Sequence, residues 1–215
     1  YGHLRYLHSF PTRRSSDLDG RVPTLFLHSC CAPCSSYVLE YLSQYFSITV
    51  FYYNPNISPK EEYEARTEEV QRLIRELPAV HPIRFVEGKY DPECYYEAVR
   101  GHEKDPEGGE RCGICFEMRL REAAKLAAEG GYDWFTTTLT ISPLKNAGRL
   151  NTIGQAMGEE YHVAFLPSDF KKKEGYKRSI ELSAQYHLYR QNYCGCVFSK
   201  REREEQMQKE RQETS

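Results

Sequence analysis

The stretch TLFLHSCCAPCSSYVLEYLSQYFSITVFYYN, residues 24–54, contains the pattern that decides the fold. Its two ends, 24–28 and 48–54, are short apolar runs with β-branched and aromatic residues, which predict two buried strands. Between them, residues 35–46 carry apolar side chains at helical spacing, with Ser35 as the candidate N-cap. A strand, a helix and a second strand in this order predict a parallel βαβ unit.

Strands and helices continue to alternate along the chain. Ser58, Pro59 and Glu61 form a capping-box pattern, which predicts a long helix that ends near Leu77. The remaining predicted strands are 83–86, 133–139 and 162–166, and the remaining predicted helices are 92–99, 112–129, 147–157 and 174–191. The alternation predicts a doubly wound, mainly parallel α/β sheet, Rossmann-like and nucleotide-hydrolase-like, with a metal-binding helical insert and a C-terminal helix.

A single domain accounts for most of the 215 residues. Residues 9–18, SFPTRRSSDL, resemble a translated sequencing adapter and have neither helical nor strand period, so we expect residues 1–20 to be a non-native segment. Residues 21–200 are expected to form one catalytic domain. Residues 201–215 form a charged tail, which is either a solvated helix or disordered.

The composition excludes several classes of protein. The chain has 29 Lys and Arg against 31 Asp and Glu, a net charge of −2, which excludes a uniformly basic nucleic-acid coat but not a local basic patch. No apolar run approaches the length of a membrane span, and the N-terminal stretch lacks the apolar region of a signal peptide. We therefore expect a cytoplasmic protein with no membrane partner.

Seven of the eight cysteines lie in three tight clusters, a pattern that favours a shared metal centre over dispersed disulfides. Zinc takes four ligands, so seven thiols are too many for one zinc and one short for two all-cysteine sites. A 4Fe–4S cluster takes four cysteines and leaves three for a second metal. A structural zinc with spare thiols and a redox-active dithiol remain as alternatives. The clusters are Cys30-Cys31-x-x-Cys34, Cys112-x-x-Cys115 and Cys194-x-Cys196.

The order of the elements places part of this chemistry at one edge of the sheet. Cys30 and Cys31 follow the first predicted strand, and residues 136–142 follow the fourth. Ligands of doubly wound sheets bind at the carboxyl ends of the strands. Cys94 lies outside every cluster, and we interpret it as an apolar filler.

Five blocks of the chain resemble epoxyqueuosine reductases of the QueH type, and the resemblance extends from about Pro23 to Arg201. It implies reduction of the epoxide of epoxyqueuosine at the tRNA wobble position, giving queuosine. It also implies a 4Fe–4S cluster with an adjacent mononuclear iron, and no cobalamin. The blocks are HSCCAPCS at 28–35, FYYNPNISPKEEYEARTEEV at 51–70, RCGICFEMRL at 111–120, TTTLTISPLKN at 136–146 and YCGCVFS at 193–199.

The resemblance implies that all seven clustered cysteines bind metal. Some family members carry an aspartate at the position of Cys34, and carboxylate and thiolate both bind iron, so we assign Cys34 to the single iron. Spacing does not divide the other six between cluster and iron. The ligand set is Cys30, Cys31, Cys34, Cys112, Cys115, Cys194 and Cys196.

Removal of an epoxide oxygen needs a proton donor for the developing alkoxide. Four residues at predicted strand ends are candidates, although each can instead be a structural residue of the core or rim: His28, Tyr52, Tyr53 and Lys145.

A basic, tyrosine-rich run from Phe170 to Cys196 is the candidate tRNA-binding element, because basic residues suit phosphates and aromatic rings suit unstacked bases of a loop. Its local net charge is +4, whereas residues 87–110 carry −5. The alternative is a solvated helix face. We expect it to bring the anticodon loop of tRNA carrying epoxyqueuosine to the metal, with electrons from an unidentified donor. The basic residues are Lys171, Lys172, Lys173, Lys177, Arg178 and Arg190.

Two other classes of function remain open at this stage. A tRNA thiolase of the ATP-pyrophosphatase type needs a glycine-rich phosphate loop after the first strand, and HSCCAPCS has no glycine there. A zinc-stabilised tRNA-binding module without catalysis would keep the basic run but would need only four thiols.

Overall fold

The computed structural model describes residues 20–213, which form a five-stranded sheet of order β3-β2-β1-β4-β5 in which all neighbouring strands are parallel. The predicted doubly wound α/β class is confirmed. The elements are β1 (Thr24–His28), α1 (Ala32–Leu42), β2 (Ser47–Tyr52), α2 (Lys60–Glu76), β3 (Ile83–Glu87), α3 (Pro92–Ala98), α4 (Glu110–Glu129), β4 (Trp134–Thr137), a 3₁₀ turn (Thr138–Ile141), α5 (Ala147–Tyr161), β5 (Ala164–Phe165), α6 (Gly175–Gln185) and α7 (Val197–Glu213).

Helices cover both faces of the sheet, and the central strand β1 shows why. Its side chains alternate between the faces. Leu25 and Leu27 pack into one core with α1 and α2, whereas Phe26 packs into a second core with α4 and α5. Because both faces of β1 are buried, the strand is apolar throughout rather than alternating with polar residues.

Several helices begin elsewhere than the sequence predicts, and α4 begins at Glu110 instead of residue 112. Helix α1 begins at Ala32 instead of Ser35, because Pro33 suits the first turn of a helix, and Cys31 becomes its N-cap residue. The predicted capping box is wrong: the N-cap residue of α2 is Pro59, which has no side-chain acceptor. Instead, the Ser58 backbone N–H donates to the Gly195 carbonyl at 3.0 Å, tying the start of α2 to the third cysteine cluster.

Helix α6 ends at Gln185 rather than at 191, because His187 adopts a left-handed backbone conformation with φ of 50°. The following residues, 188–193, run as an irregular segment toward the third cysteine cluster. The fourth predicted strand is also shorter, since residues 138–141 form a 3₁₀ turn. Strand β5 is two residues long, because His162 with φ of 58° ends α5 in the left-handed region.

The charged tail forms most of helix α7 up to Glu213. The predicted non-native segment falls, apart from Gly20, outside the described residues. Within the described range, none of the helices combines the length and the apolar character that crossing a bilayer requires.

Candidate metal centre

The first cysteines lie in the crevice where the strand order reverses, between β1 and β4. Cys30 follows β1 by two residues, and its Sγ lies 3.8 Å from Oγ1 of Thr138, the first residue after β4. Crevices of this kind are the usual ligand site of doubly wound sheets, because the loops of the two strands diverge there.

Cys30, Cys31 and Cys34 form what we call the three-thiol group, whose sulfur atoms all lie within 4.8 Å of one another. Cys31 caps α1 and Cys34 lies in its first turn, so the three-residue spacing puts both thiols on one face of the helix. Cys30 Sγ lies 3.8 Å from Cys31 Sγ. Three soft ligands at this separation can bind one metal ion.

The three thiols differ in pKa. Hydrogen bonds with Cys31 and Cys34 lower the pKa of Cys30 well below its ordinary value. Hydrogen bonding to Cys30 raises the pKa of Cys31 to about 12 and raises that of Cys34 well above its ordinary value. One thiolate is therefore favoured, and ionisation of all three requires a cation among them.

The remaining clustered cysteines form what we call the four-thiol group. Cys112 and Cys115 lie in the first two turns of α4, and Cys194 and Cys196 precede α7. The charge of Cys115 interacts with those of the other three, and burial raises its pKa to about 12. Among the described residues, no three of these sulfurs lie within 4.8 Å of one another. These sulfurs are therefore less tightly gathered than those of the three-thiol group. The four are Cys112, Cys115, Cys194 and Cys196.

Backbone contacts from two helices fix the Cys194–Cys196 segment. The Arg66 guanidinium of α2 donates to the Cys194 carbonyl at 3.2 Å. From the other side, Ser199 Oγ accepts the Cys194 N–H at 2.9 Å, and the Ser199 N–H donates to Cys196 Sγ at 3.4 Å. Gly195 joins the two cysteines with φ of 119°, a conformation that favours glycine.

The first turns of α7 dock on the start of α4 through an ion pair. Glu202 Oε1 accepts from Arg111 Nη2 at 2.7 Å, and Arg111 is only 1% exposed. The other carboxylate oxygen of Glu202 accepts the Glu107 N–H at 3.0 Å, while Ser199 Oγ donates to the Glu107 carboxylate. These contacts hold the second and third cysteine clusters side by side.

A cavity of about 190 Å³ opens where the two thiol groups meet. All three members of the three-thiol group line it, together with Cys194 of the four-thiol group. Its other charged lining residues are Arg66, Glu107, Lys145 and Arg190.

Of the four predicted proton donors, Lys145 lines this cavity. His28 is fully buried with oxygens 3.0 and 3.1 Å from its ring nitrogens, and burial lowers its pKa to about 4. Tyr52 is fully buried as well. Tyr53 lines a different cavity, where its hydroxyl lies 3.9 Å from the Cys94 sulfur. The structure thus brings one of the four into the lining of the thiol cavity.

Of the six predicted tRNA contacts, Arg190 lines the thiol cavity, from the irregular segment rather than from a helix. Lys173 has a left-handed backbone with φ of 50° and lies just before α6. The other four have acidic partners: Lys171 and Lys172 pair with Asp169, Lys177 with Glu174, and Arg178 with Glu40 and Glu181. Ion pairs of this exposed kind are weak, so phosphates can compete for the cations.

Comparison with known proteins identifies the family of this chain. The family model described as "Epoxyqueuosine reductase QueH" matches residues 25–202. The chain belongs to the QueH family. A relative from Streptococcus pyogenes serotype M1, named "Epoxyqueuosine reductase QueH", is 47% identical over 179 residues, which cover 82% of this chain and 70% of that protein.

Two further QueH relatives carry the same name. The protein from Staphylococcus epidermidis is 45% identical over 84% of this chain and 78% of its own length. The protein from Thermotoga maritima is 37% identical over 85% of this chain and 93% of its own length. The predicted family is confirmed.

Sequence reasoning missed the buried arginines of this QueH family member. Arg66, Arg111 and Arg119 are each at most 2% exposed and lie beside the thiols. A spacing signal was available for one of them: Arg119 follows Cys115 by four residues and Cys112 by seven, and therefore shares their face of α4.

Proposed function

We propose that this chain reduces the epoxide of epoxyqueuosine at the wobble position of tRNA to queuosine, in the cytoplasm and without cobalamin. The observation that carries the proposal is the convergence of two thiol groups on one cavity at the switch point of the sheet. The names of the QueH relatives supply the reaction.

The donor set fits the proposed cofactors, a 4Fe–4S cluster and an adjacent iron. The four-thiol group, with its wider spacing, would hold the cluster, and the three-thiol group would hold the single iron. A buried cation also supports the fit. One terminal nitrogen of Arg119, Nη2, has no hydrogen-bond partner within the described chain, as expected where an anionic group belongs.

The reaction breaks two C–O bonds, forms a C=C bond and releases the oxygen as water, which consumes two electrons and two protons. When bound, the cluster supplies single electrons and an iron with an open position supplies Lewis acidity. The protein must therefore place the epoxide beside the three-thiol group and provide protons.

Lys145 is the proton donor that the cavity favours. Burial lowers its pKa, but the charges that Cys194, Cys30 and Cys34 carry as metal-binding thiolates outweigh burial and leave the pKa above its ordinary value. The side chain is therefore an ammonium at neutral pH, and it lines the cavity. We assign it the role of hydrogen-bonding the epoxide oxygen and donating a proton as that oxygen leaves.

The irregular segment after α6 would receive the anticodon loop. Arg190 and Tyr193 line the cavity. The Arg66 guanidinium lies 5.3 Å from the centre of the Tyr193 ring and helps to fix the orientation of the ring, on which a base can stack. The basic residues within 171–178 would then contact flanking phosphates.

The direct test is conversion of epoxyqueuosine-containing tRNA by anaerobically purified protein with a chemical reductant. We expect queuosine, about five irons and four sulfides per chain, and loss of conversion on chelation. A colourless protein that holds one zinc and converts nothing would contradict the proposal and support a zinc-stabilised tRNA-binding module. Lys145→Met should retain the metals and lose most activity, while Lys125→Met, on the outer part of α4, should retain both.

A further inference from the structure

Arg119 of α4 is a buried cation that has no carboxylate partner within the described residues. Its Nε donates to the Cys115 carbonyl at 3.1 Å and its Nη1 to the Asn54 amide oxygen at 3.4 Å. Both acceptors are uncharged. In the described part of the chain, no carboxylate oxygen lies within ion-pair distance of this guanidinium, and Nη2 has no hydrogen-bond partner.

The other two buried arginines are different. Arg66 pairs with Glu62 at 2.7 Å, and Arg111 pairs with Glu202 at 2.7 Å. A buried charge without a counter-charge is strongly unfavourable, so Arg119 needs negative charge from another source.

Once metal binding ionises the thiols, the thiolates that act on Arg119 belong to both thiol groups. Its charge interacts with Cys115 and Cys194 of the four-thiol group and with Cys30 of the three-thiol group. Arg119 therefore lies in the electrostatic field of both proposed metal sites, where water cannot screen it.

We propose that Arg119 is a positioning residue that raises the reduction potential of the cluster held by the four-thiol group, a role that rests on the proposed function. Reduction adds one negative charge to a cluster. A fixed buried cation stabilises the reduced form more than the oxidised form, because it carries the larger negative charge. Arg119 also interacts with Cys30, and the same stabilisation therefore extends to the single iron proposed for the three-thiol group.

The test is an anaerobic redox titration of the metal-loaded full chain, followed by visible absorption and electron paramagnetic resonance. Arg119→Met and Arg119→Gln remove the charge, and the glutamine can still donate a hydrogen bond. Arg119→Lys keeps the charge. Arg121→Met is the matched control, since Arg121 is on the same helix but half-exposed and paired with Glu117 and Glu160.

In both neutral variants we expect the equilibrium constant for reduction of the cluster to fall about tenfold. This corresponds to a reduction potential lower by about 59 mV for a one-electron couple. Arg119→Lys and Arg121→Met should stay near the wild-type potential. Unchanged potentials in the loaded neutral variants would overturn this role and leave the proposed function intact. So would an equal fall in Arg121→Met. A wild-type protein that assembles no cluster would instead overturn the proposed function, and this role with it.

Discussion

The three-thiol and four-thiol groups meet at one cavity but are assembled in opposite ways. The three-thiol group spans five residues, 30–34, at the junction of β1 and α1. The four-thiol group joins the start of α4 to a segment about eighty residues later in the chain, and Cys194 is the member that lines the cavity.

Because the two groups are assembled differently, the four-thiol group depends more on long-range contacts of the fold than the three-thiol group does. The backbone of one βα junction orients the first three thiols, and this junction lies in the buried centre of the sheet. The four-thiol group combines two distant segments, which the Arg111–Glu202 ion pair joins and in which Gly195 sets the backbone between two of the cysteines. Damage to these contacts should therefore affect the four-thiol group first.

The strongest effect is expected from the removal of one cysteine from either thiol group. Cys115→Ala should lose the sulfide and most of the iron, whereas Cys34→Ala should lose about one iron of five and keep the cluster absorption. Both should lose more activity than the roughly 10–100-fold that removal of a supporting outer-shell residue costs. Iron and sulfide analysis with a single-turnover assay measures both. Equal metal loss in the two variants would show that the seven cysteines do not divide into four ligands of a cluster and three of a single iron.

A smaller effect is expected from undocking α7 without touching a thiol. Glu202→Gln leaves the buried Arg111 without its counter-charge, and we expect unfolding in urea to require about 1.5–3 kcal/mol less free energy. Glu205→Gln, exposed on the same helix, should change stability by less than about 0.5 kcal/mol. Sulfide content should fall in Glu202→Gln alone, and normal sulfide with lowered stability would show that docking does not support the cluster.

The smallest effect concerns the link between Cys194 and Cys196. Gly195→Ala places a side chain at φ of 119°, with its Cβ 3.0 Å from Arg66 Nη1 and from Ile57 Cγ1. We expect destabilisation of about 1–2 kcal/mol together with reduced cluster loading. Gly131→Ala has the same kind of backbone strain, with φ of 65°, but meets nothing within 4 Å and lies far along α4 from the thiols. It should lose stability only; equal cluster loss in both variants would refute the special role of Gly195.

Particular residues show how far sequence reasoning reached. The alternating apolar runs predicted the sheet because strand and helix periods depend on near neighbours. Helix α1 begins before the predicted Ser35 cap because Pro33 favours a helix start, and α6 ends early because nothing local marks His187 as left-handed. Arg119 was recognisable from its spacing after Cys115, but its isolation from carboxylates was not.

Local sequence alone specifies the α/β class, the three cysteine clusters and the QueH resemblance, because each depends on residues that are neighbours along the chain. Tertiary contacts, by contrast, bring the second and third clusters side by side, bring Lys145 and Arg190 to the cavity, and put Arg119 against Cys115. The physical reason is distance along the chain: the Arg111–Glu202 ion pair that docks α7 joins residues 91 positions apart, and no local pattern encodes such a contact.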